Sequence, residues 1–221
     1  MNKLKDIIFF GTGAVAAEIT SYLESNNWLD DNQFQIKGYV ASDDNGIINW
    51  EKYHYKYPYL GKLESYTIQS NDYFILALGN YKVKREIATH IKNNGGNFVS
   101  YVHPSVCIAD SATIGVGNII YPQIIIGPNV KLGDFNLLTS QSIISHDSSI
   151  GDYNFFATAL LCGYNSVGDD NYFGIRATTL PSVEIGNRNI IQAGMIVDKN
   201  INDDTTIFYR YKEKIIAVTK E

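Results

Sequence analysis

Large apolar residues recur at every sixth position in the second half of the chain, and small or polar residues fill most positions between them. The series begins at Ile108, shifts once by one residue after Phe156, and ends at Val197. A period of six matches neither the roughly 3.6-residue turn of an α-helix nor the alternation of a strand. It predicts the hexapeptide repeat of a left-handed parallel β-helix, in which three hexapeptides form one triangular coil and each anchor residue fills the interior. The anchors are Ile108, Ile114, Ile120, Ile126, Leu132, Leu138, Ile144, Ile150, Phe156, Leu161, Val167, Phe173, Thr179, Ile185, Ile191 and Val197.

Two further positions of the repeat have a restricted composition. The fourth residue after an anchor is mostly small or asparagine, and the residue directly after an anchor is often glycine, at positions 115, 127, 133, 151, 168, 174 and 186. The span 108–197 makes about five coils. A solenoid of this length cannot bury its flat faces alone. Because hexapeptide helices of this kind commonly associate as trimers, we expect a homotrimer.

The first half of the chain has a different pattern, in which strand-like and helix-like segments alternate. The patterns predict strands over residues 7–10, 36–40 and 73–78, and helices over 14–23 and 83–91. This alternation is typical of βαβ units with a parallel sheet. We therefore predict two domains: a Rossmann-like α/β domain over residues 1–100, and a left-handed β-helix domain with a C-terminal tail over residues 101–221.

The composition limits the classes of partner. The chain has 221 residues, a formal net charge of -5 and 45% hydrophobic residues, which is ample for buried cores. Its basic residues are scattered, so no patch predicts binding to nucleic acid or to an anionic membrane surface. No apolar run in the sequence is long enough to span a membrane. We expect a small molecule or another protein as the partner.

The two cysteines restrict the redox and metal chemistry. Cys107 and Cys162 lie far apart in the sequence, and neither belongs to a CxxC motif or a cluster of histidines. This spacing argues against a disulfide scaffold and against a structural zinc site. We expect no metal, and a reducing cytoplasm fits the cysteines best.

A glycine-rich turn follows the first predicted strand. The segment GTGAVA fits the pattern G-x-G-x-x-A between a strand and a helix, with Gly11, Thr12 and Gly13 in the turn. Such glycines let the backbone approach a phosphate at a helix N-terminus, and Asp43 and Asp44 after the second strand can bind a ribose or a base. The domain is about half of a dinucleotide-binding fold, so one nucleotide fits better than two.

One histidine lies inside the predicted solenoid. His146 is the second residue after the anchor Ile144, which places it near a corner of the coil with its side chain outward. Asp147 can accept a hydrogen bond from one ring nitrogen, as a histidine that acts as a general base near neutral pH requires. The alternative is a solvated surface histidine. Small neighbours leave room for a ligand: Ser142, Ser145, Ser148 and Ser149.

With these features the chain resembles a known family, the hexapeptide-repeat sugar acyltransferases. That family includes sialic acid O-acetyltransferases and N-acetyltransferases of nucleotide-linked 4-amino sugars. The resemblance covers nearly the whole chain and implies a small Rossmann-like domain followed by a left-handed β-helix. It rests on the segments FFGTGAVAAEI, VASDD, ALGNYKVKREI, YVHPSVCIADSATIGVGNII, SHDSSIGD and LLCGYNSVG.

The resemblance implies an acetyl-CoA-dependent transfer by direct attack on the thioester. His146 would be the general base, Asp147 would orient it, and the backbone N–H of Gly163 would hold the thioester carbonyl. Ala193 and Gly194 match the small residues along which the pantetheine arm of the coenzyme runs. The residues available for the coenzyme phosphates are Lys199 and Arg210.

In this family the glycine loop and the acidic pair hold the nucleotide of the sugar substrate, with Gly79 and Asn80 nearby. The chain departs from the family pattern in three places. Ala14 and Val15 replace Gly-His after the glycine loop, and Phe155 replaces a second histidine. The tail reads IFYRYKEKI where relatives have a Gly-x-Pro-Ala turn.

We therefore predict an N-acetyltransferase that acts on the amino group of a nucleotide-linked (4-)amino sugar in surface glycan biosynthesis. Two alternatives stay open: an O-acetyltransferase of a sugar such as sialic acid, and a non-catalytic trimer that binds a sugar nucleotide. A β-helix carbonic anhydrase is set aside, because it needs three zinc histidines and only His146 lies in the coils.

Overall fold

The computed structural model describes residues 4–209, except the side chains of residues 81 and 82. Its first part is a parallel sheet with helices, and its second part is a solenoid of short strands. The helices and strands of the first part are β1 (Lys5–Phe10), α1 (Ala14–Ser25), α2 (Trp28–Asp31), β2 (Phe34–Ala41), α3 (Asn45–Lys52), β3 (Tyr59–Lys62), β4 (Asp72–Leu76), α4 (Tyr81–Asn93) and β5 (Asn97–Phe98).

The sheet of the first part has five parallel strands in the order β3-β2-β1-β4-β5. Sheets with this order hold their ligands outside the carboxyl ends of the strands, at the point where the strand order reverses. The three predicted strands and two predicted helices are confirmed. The sequence patterns missed α2, α3, β3 and β5, and the two missed strands are the outermost ones of the sheet.

The central strand β1 is apolar on both of its faces. Ile7, Ile8, Phe9 and Phe10 are at most 2% exposed. A parallel sheet that is covered on both faces has such continuous apolar runs, and burial of each side chain contributes roughly 1.5–3 kcal/mol. This burial fixes the strand whose carboxyl end carries the glycine-rich turn.

The second part consists of two-residue strands that stack into three parallel sheets, and each strand between residues 107 and 197 ends on a predicted anchor. The domain-facing sheet contains β6 (Tyr101–Val102), β9 (Ile119–Ile120), β12 (Leu137–Leu138), β15 (Phe155–Phe156), β18 (Tyr172–Phe173), β21 (Ile190–Ile191) and β23 (Thr206–Ile207). The apolar sheet contains β7 (Cys107–Ile108), β10 (Ile125–Ile126), β13 (Ile143–Ile144), β16 (Leu160–Leu161), β19 (Thr178–Thr179) and β22 (Ile196–Val197). The polar sheet contains β8 (Thr113–Ile114), β11 (Lys131–Leu132), β14 (Ser149–Ile150), β17 (Ser166–Val167) and β20 (Glu184–Ile185).

The anchors predicted from the six-residue period form the core of the solenoid. Those from Ile120 to Val197 are at most 4% exposed, whereas Ile108 and Ile114 in the first coil are partly buried. After Phe156 the one-residue shift shortens one coil, so β16 pairs with β13 seventeen residues earlier and the stacking continues. Three parallel stacks of this kind are consistent with the predicted left-handed β-helix.

Asparagine at the fourth position after an anchor has a structural reason. In the turns from the polar to the domain-facing sheet, Asn118 Oδ1 accepts the backbone N–H of Asn136 at 2.8 Å, and Asn136 accepts that of Asn154 in the same way. Buried polar groups need such partners, so this ladder of side chains ties successive coils together. Its members are Asn118, Asn136, Asn154, Asn171 and Asn189.

Helix α4 holds the first part of the chain against the solenoid. Arg85 forms two hydrogen bonds to the carboxylate of Asp170, at 2.9 and 3.0 Å. Lys84 is buried, and its Nζ donates to the backbone carbonyl of Phe135 at 3.1 Å. Burial lowers the pKa of Lys84 to about 7, because loss of water disfavours the charged ammonium group.

Candidate functional site

The turns between the apolar and the polar sheet carry the predicted catalytic pair. His146 and Asp147 lie in the turn from β13 to β14, and Gly163 and Tyr164 occupy the equivalent positions one coil later. Asp147 has φ 56°, in the left-handed region that aspartate tolerates better than most residues. Coil stacking thus brings together residues that are separated in the sequence.

The geometry of His146 gives its two ring nitrogens different tasks. The side chain is 51% exposed, as expected for an outward corner position. Its Nδ1 lies 2.8 Å from Oδ2 of Asp147. An ionised carboxylate only accepts hydrogen bonds, so Nδ1 carries the proton and Nε2 has a free lone pair. Nε2 is therefore the nitrogen able to take a proton from a substrate.

Asp147 is itself held by a residue that the sequence patterns missed. Nδ2 of Asn129 donates to Oδ1 of Asp147 at 2.9 Å, from the coil before. The hydrogen bond from Asn129, followed by the one from His146, lowers the pKa of Asp147 below its usual range. The carboxylate is thus ionised and oriented by both of its oxygens. The signal for Asn129 was its separation from Asp147 by one full coil of eighteen residues.

Gly163 provides the space that the imidazole occupies. A Cβ atom on this residue would lie 2.7 Å from Cε1 and 2.9 Å from Nε2 of His146. Real Cβ atoms do not approach other atoms this closely, so the ring fits only above a glycine. Coil stacking therefore places Gly163 next to the imidazole of His146.

Tyr164 is a second neighbour of the imidazole that the sequence patterns missed. Its ring makes an edge-to-face contact with His146, with centroids 5.2 Å apart and an angle of 88° between the planes. The backbone N–H of Tyr164 donates to the carbonyl of His146 at 3.1 Å. Its side chain is 60% exposed.

The expected pocket of serines is only partly present. Ser142 and Ser148 are 1% exposed, because the fourth position after an anchor faces the interior of the coil. The hydroxyl of Ser148 donates to the backbone carbonyls of His146 and Cys162. Ser145 and Ser149 remain outside this interior.

The residues predicted to contact the coenzyme lie at two different corners of the solenoid. Ala193 and Gly194 are exposed in the turn from β21 to β22, between the domain-facing and the apolar sheet. Within one chain, the width of the apolar sheet separates them from His146 and Gly163. Lys199 is exposed and lines a cavity of about 280 Å³ beyond β22. Arg210 lies outside the described residues.

The outer face of the apolar sheet is an exposed stripe of large side chains. Ile125, Leu160 and Ile196 are 46%, 37% and 61% exposed and point away from the core between the buried anchors. The corresponding positions of the polar sheet are Thr113, Lys131, Ser149, Ser166 and Glu184. An exposed apolar stripe of this kind indicates an interaction surface.

A second candidate site lies at the carboxyl ends of β1, β2 and β4. It is a cavity of about 350 Å³, at the place where sheets of this strand order bind ligands. The structure brings five of the seven predicted nucleotide contacts into its lining: Gly11, Thr12, Gly13, Asp43 and Gly79. Two lining amides that the sequence patterns missed are Asn45 and Asn49.

Asp44 and Asn80 stand outside the lining of this cavity. Asp44 is 88% exposed on its side chain and forms an ion pair with Lys62 at 2.8 Å. Asn80 directly precedes α4, and its Oδ1 accepts the backbone N–H of Val83 at 3.4 Å. Which of two adjacent acids turns toward a cavity depends on the loop, and the sequence does not specify it.

Internal hydrogen bonds hold the glycine-rich turn in shape. The Thr12 side chain is buried and donates to the backbone carbonyl of Gly46 at 2.9 Å. Tyr55 donates its hydroxyl hydrogen to the carbonyl of Thr12 at 3.1 Å. Gly11 has φ 100°, which favours glycine, and a Cβ on Gly13 would meet no atom within 4 Å. The turn is therefore rigid, with open space on the side of Gly13.

Metal-binding clusters and membrane-spanning helices are two features that bear on the class of protein. Within residues 4–209, no group of three or more His, Cys, Asp or Glu side chains is arranged to hold a metal ion. Over the same part of the chain, no helix has both the length and the apolar character needed to cross a membrane. Cys107 and Cys162 are both free thiols.

No protein-family model matches the chain, and none of the curated proteins does. Solved structures match about nine tenths of its length, and several of those structures are of acetyltransferases. At 20–23% sequence identity this likeness establishes the fold, in agreement with the predicted resemblance.

Three of these structures are particularly informative. Perosamine N-acetyltransferase from Caulobacter crescentus, in complex with CoA and GDP-perosamine, is 20% identical with a TM-score of 0.79, over 91% of this chain and 92% of that one. The acetyltransferase domain of PglB from Neisseria gonorrhoeae is 20% identical with a TM-score of 0.74, over 91% and 95%. WeeI from Acinetobacter baumannii is 23% identical with a TM-score of 0.74, over 90% and 94%.

Proposed function

We propose that the protein is an acetyl-CoA-dependent N-acetyltransferase that acts on the amino group of a nucleotide-linked amino sugar, in surface glycan biosynthesis. The observation that carries the proposal is the imidazole of His146, bonded through Nδ1 to Asp147 and packed directly above Gly163. A fold shared with an enzyme that binds CoA and GDP-perosamine supports it. The free cysteines fit a reducing cytoplasm.

The arrangement at the corner can perform a direct acetyl transfer. Nε2 of His146 takes the proton from the sugar amine as the amine nitrogen attacks the thioester carbonyl carbon. The backbone N–H of Gly163 donates to the carbonyl oxygen while negative charge develops on it. Asp147 stabilises the imidazolium that forms, and His146 then returns the proton to the departing thiolate. No acyl-enzyme is needed, so Cys162 has no task as a nucleophile.

The first part of the chain supplies the nucleotide site in this proposal. Residues 1–100 act as a Rossmann-like domain, and residues 101–221 as the left-handed β-helix acyltransferase domain. The diphosphate of the sugar nucleotide lies at the N-terminus of α1, where Gly13 leaves open space. Asp43 binds the ribose or the base, and the rigid turn around Thr12 preorganises the site.

The proposed homotrimer explains why the coenzyme contacts lie at two corners. Packing of the apolar face of one chain against a neighbour would bury Ile125, Leu160 and Ile196. The groove between two subunits could then join the Ala193 and Gly194 corner of one chain to the Gly163 corner of the next. The pantetheine arm lies along this groove, and Lys199 meets the coenzyme phosphates.

A thiol-release assay tests the proposal. The protein is supplied with acetyl-CoA and UDP-, dTDP- or GDP-linked 4-amino sugars, with the matching 4-hydroxy sugars as controls. We expect thiol release with at least one amino sugar and none with its 4-hydroxy counterpart. Release with free sialic acid alone would indicate an O-acetyltransferase. Calorimetric binding of a sugar nucleotide without any thiol release would indicate a non-catalytic binding trimer.

A further inference from the structure

Tyr164 occupies a turn position that does not favour a large aromatic residue. Its φ is 61°, and the equivalent residues of neighbouring coils are Asn129, Asp147 and Ser182, all small and polar. Asparagine and aspartate tolerate left-handed backbone well, whereas bulky residues seldom adopt it. The turn alone therefore gives no reason for a tyrosine at this position.

Other aromatic residues with left-handed backbone in the solenoid are explained by burial. Phe135 and Tyr153 are 7% and 9% exposed and stack on each other within a hydrophobic cluster. Tyr164 is 60% exposed, and its ring contact is with His146. The position of this ring is thus tied to the imidazole and not to the core.

The other neighbours of His146 do not prevent rotation of its imidazole ring. Asp147 holds the single atom Nδ1, and the backbone of Gly163 lies beneath the ring. A half-exposed ring held by one hydrogen bond can still rotate about its side-chain torsions. The edge-to-face contact with Tyr164, at 88°, restricts this rotation.

We propose that Tyr164 is a positioning residue that holds the His146 ring in the orientation in which Asp147 keeps Nδ1 and Nε2 faces the attacking group. The inference rests on the proposed acetyl transfer. The ring is the essential part of Tyr164, and its hydroxyl is not required. Tyr164 therefore acts through His146 and not on the coenzyme.

The test uses Tyr164→Phe, which keeps the ring, and Tyr164→Asn, which removes the ring and suits the left-handed backbone. Ser182→Asn, at the same turn position one coil later, is the matched control. We expect Tyr164→Phe and the control to keep kcat within about threefold, and Tyr164→Asn to lower kcat about tenfold or more with KM for acetyl-CoA nearly unchanged.

Nuclear magnetic resonance of the full-length protein gives a readout that does not depend on catalysis. The imidazole resonances of His146 are assigned by their loss in His146→Ala. In Tyr164→Asn we expect the ring-carbon proton resonances to shift as the neighbouring aromatic ring is lost, and the nitrogen signals to change from one tautomer toward a mixture. Tyr164→Phe should retain the wild-type spectrum.

The outcomes separate this inference from the proposed function. Unchanged ring-nitrogen signals of His146 in Tyr164→Asn overturn it, even if kcat falls, because Tyr164 would then act on the substrate directly. If the wild type is active and Tyr164→Asn has the same kcat, the inference is also overturned. If the wild type transfers no acetyl group to any sugar, the proposed function fails, and the spectrum alone decides whether Tyr164 positions the ring.

Discussion

Gly163→Ala tests whether His146 must lie directly above a residue without a side chain. The backbone of Gly163 is outside the left-handed region, so alanine adds no conformational strain there. The new Cβ would lie 2.7 Å from Cε1 of His146 and 2.9 Å from its Nε2. Ordinary contacts between such atoms are about 3.5–4.0 Å, so the ring must retreat by roughly 1 Å.

This retreat sets the size of the expected effect. The Nδ1 atom of His146 would leave its position 2.8 Å from Asp147, and a hydrogen bond at about 3.6 Å or more is lost. A misplacement of about 1 Å in a catalytic group can lower the rate about 10²-fold. That loss corresponds to about 2.7 kcal/mol in activation free energy. The half-exposed ring can move into solvent, so the free energy of unfolding should change by less than about 1 kcal/mol.

The assay is kcat for thiol release with a saturating sugar nucleotide, together with urea unfolding of each variant. Asp110→Ala is the control, because Asp110 occupies the same turn position three coils before Gly163 and is exposed. It should leave kcat unchanged. A Gly163→Ala protein with normal stability and kcat within about threefold of wild type would refute the reasoning.

Three further predictions concern the rest of the chain. Between pH 7 and the ordinary pKa of lysine, Lys84 carries a proton in the unfolded chain that it lacks in the folded chain. The free energy of unfolding of the wild type therefore rises with pH through this window. At about pH 6, Lys84→Met should be more stable than the wild type by about 2–4 kcal/mol, once the loss of the hydrogen bond to Phe135 is subtracted. Urea unfolding should show that this advantage is lost by about pH 10. Asp43→Asn should weaken sugar-nucleotide binding about tenfold or more in calorimetry, while Asp44→Asn changes it little; equal effects would remove the assignment. Leu160→Asp should convert a sedimenting trimer to monomers, and a monomeric wild type would contradict the proposed interface.

The solenoid could be predicted almost completely from the sequence. Its anchors recur because each hexapeptide presents one side chain to the interior. The six-residue period therefore predicts the position of each strand directly. The shift after Phe156 was equally visible, because stacking resumes on Leu161 in the next coil. The edge strands β3 and β5 were missed because they are short and carry no long apolar run.

The site could be predicted only where the sequence brings residues together. Asp147 follows His146 directly, and their contact is local. The contacts of Asn129 and Tyr164 arise from coil stacking, and the side-chain directions decide them. For Asn129 the spacing of one coil was an available signal. The position of Ser148 inside the coil was also readable, because the repeat assigns its slot to the interior.

The central claim is that His146 is the base of an acetyl transfer to a nucleotide-linked amino sugar. The most direct measurement compares thiol release by His146→Ala with wild type, under single-turnover conditions and saturating substrates. His90→Ala is the control, since His90 is an exposed histidine on α4. We predict a fall of about 10²- to 10⁴-fold for His146→Ala, with sugar-nucleotide binding unchanged by calorimetry. Turnover of His146→Ala near the wild-type rate would contradict the account.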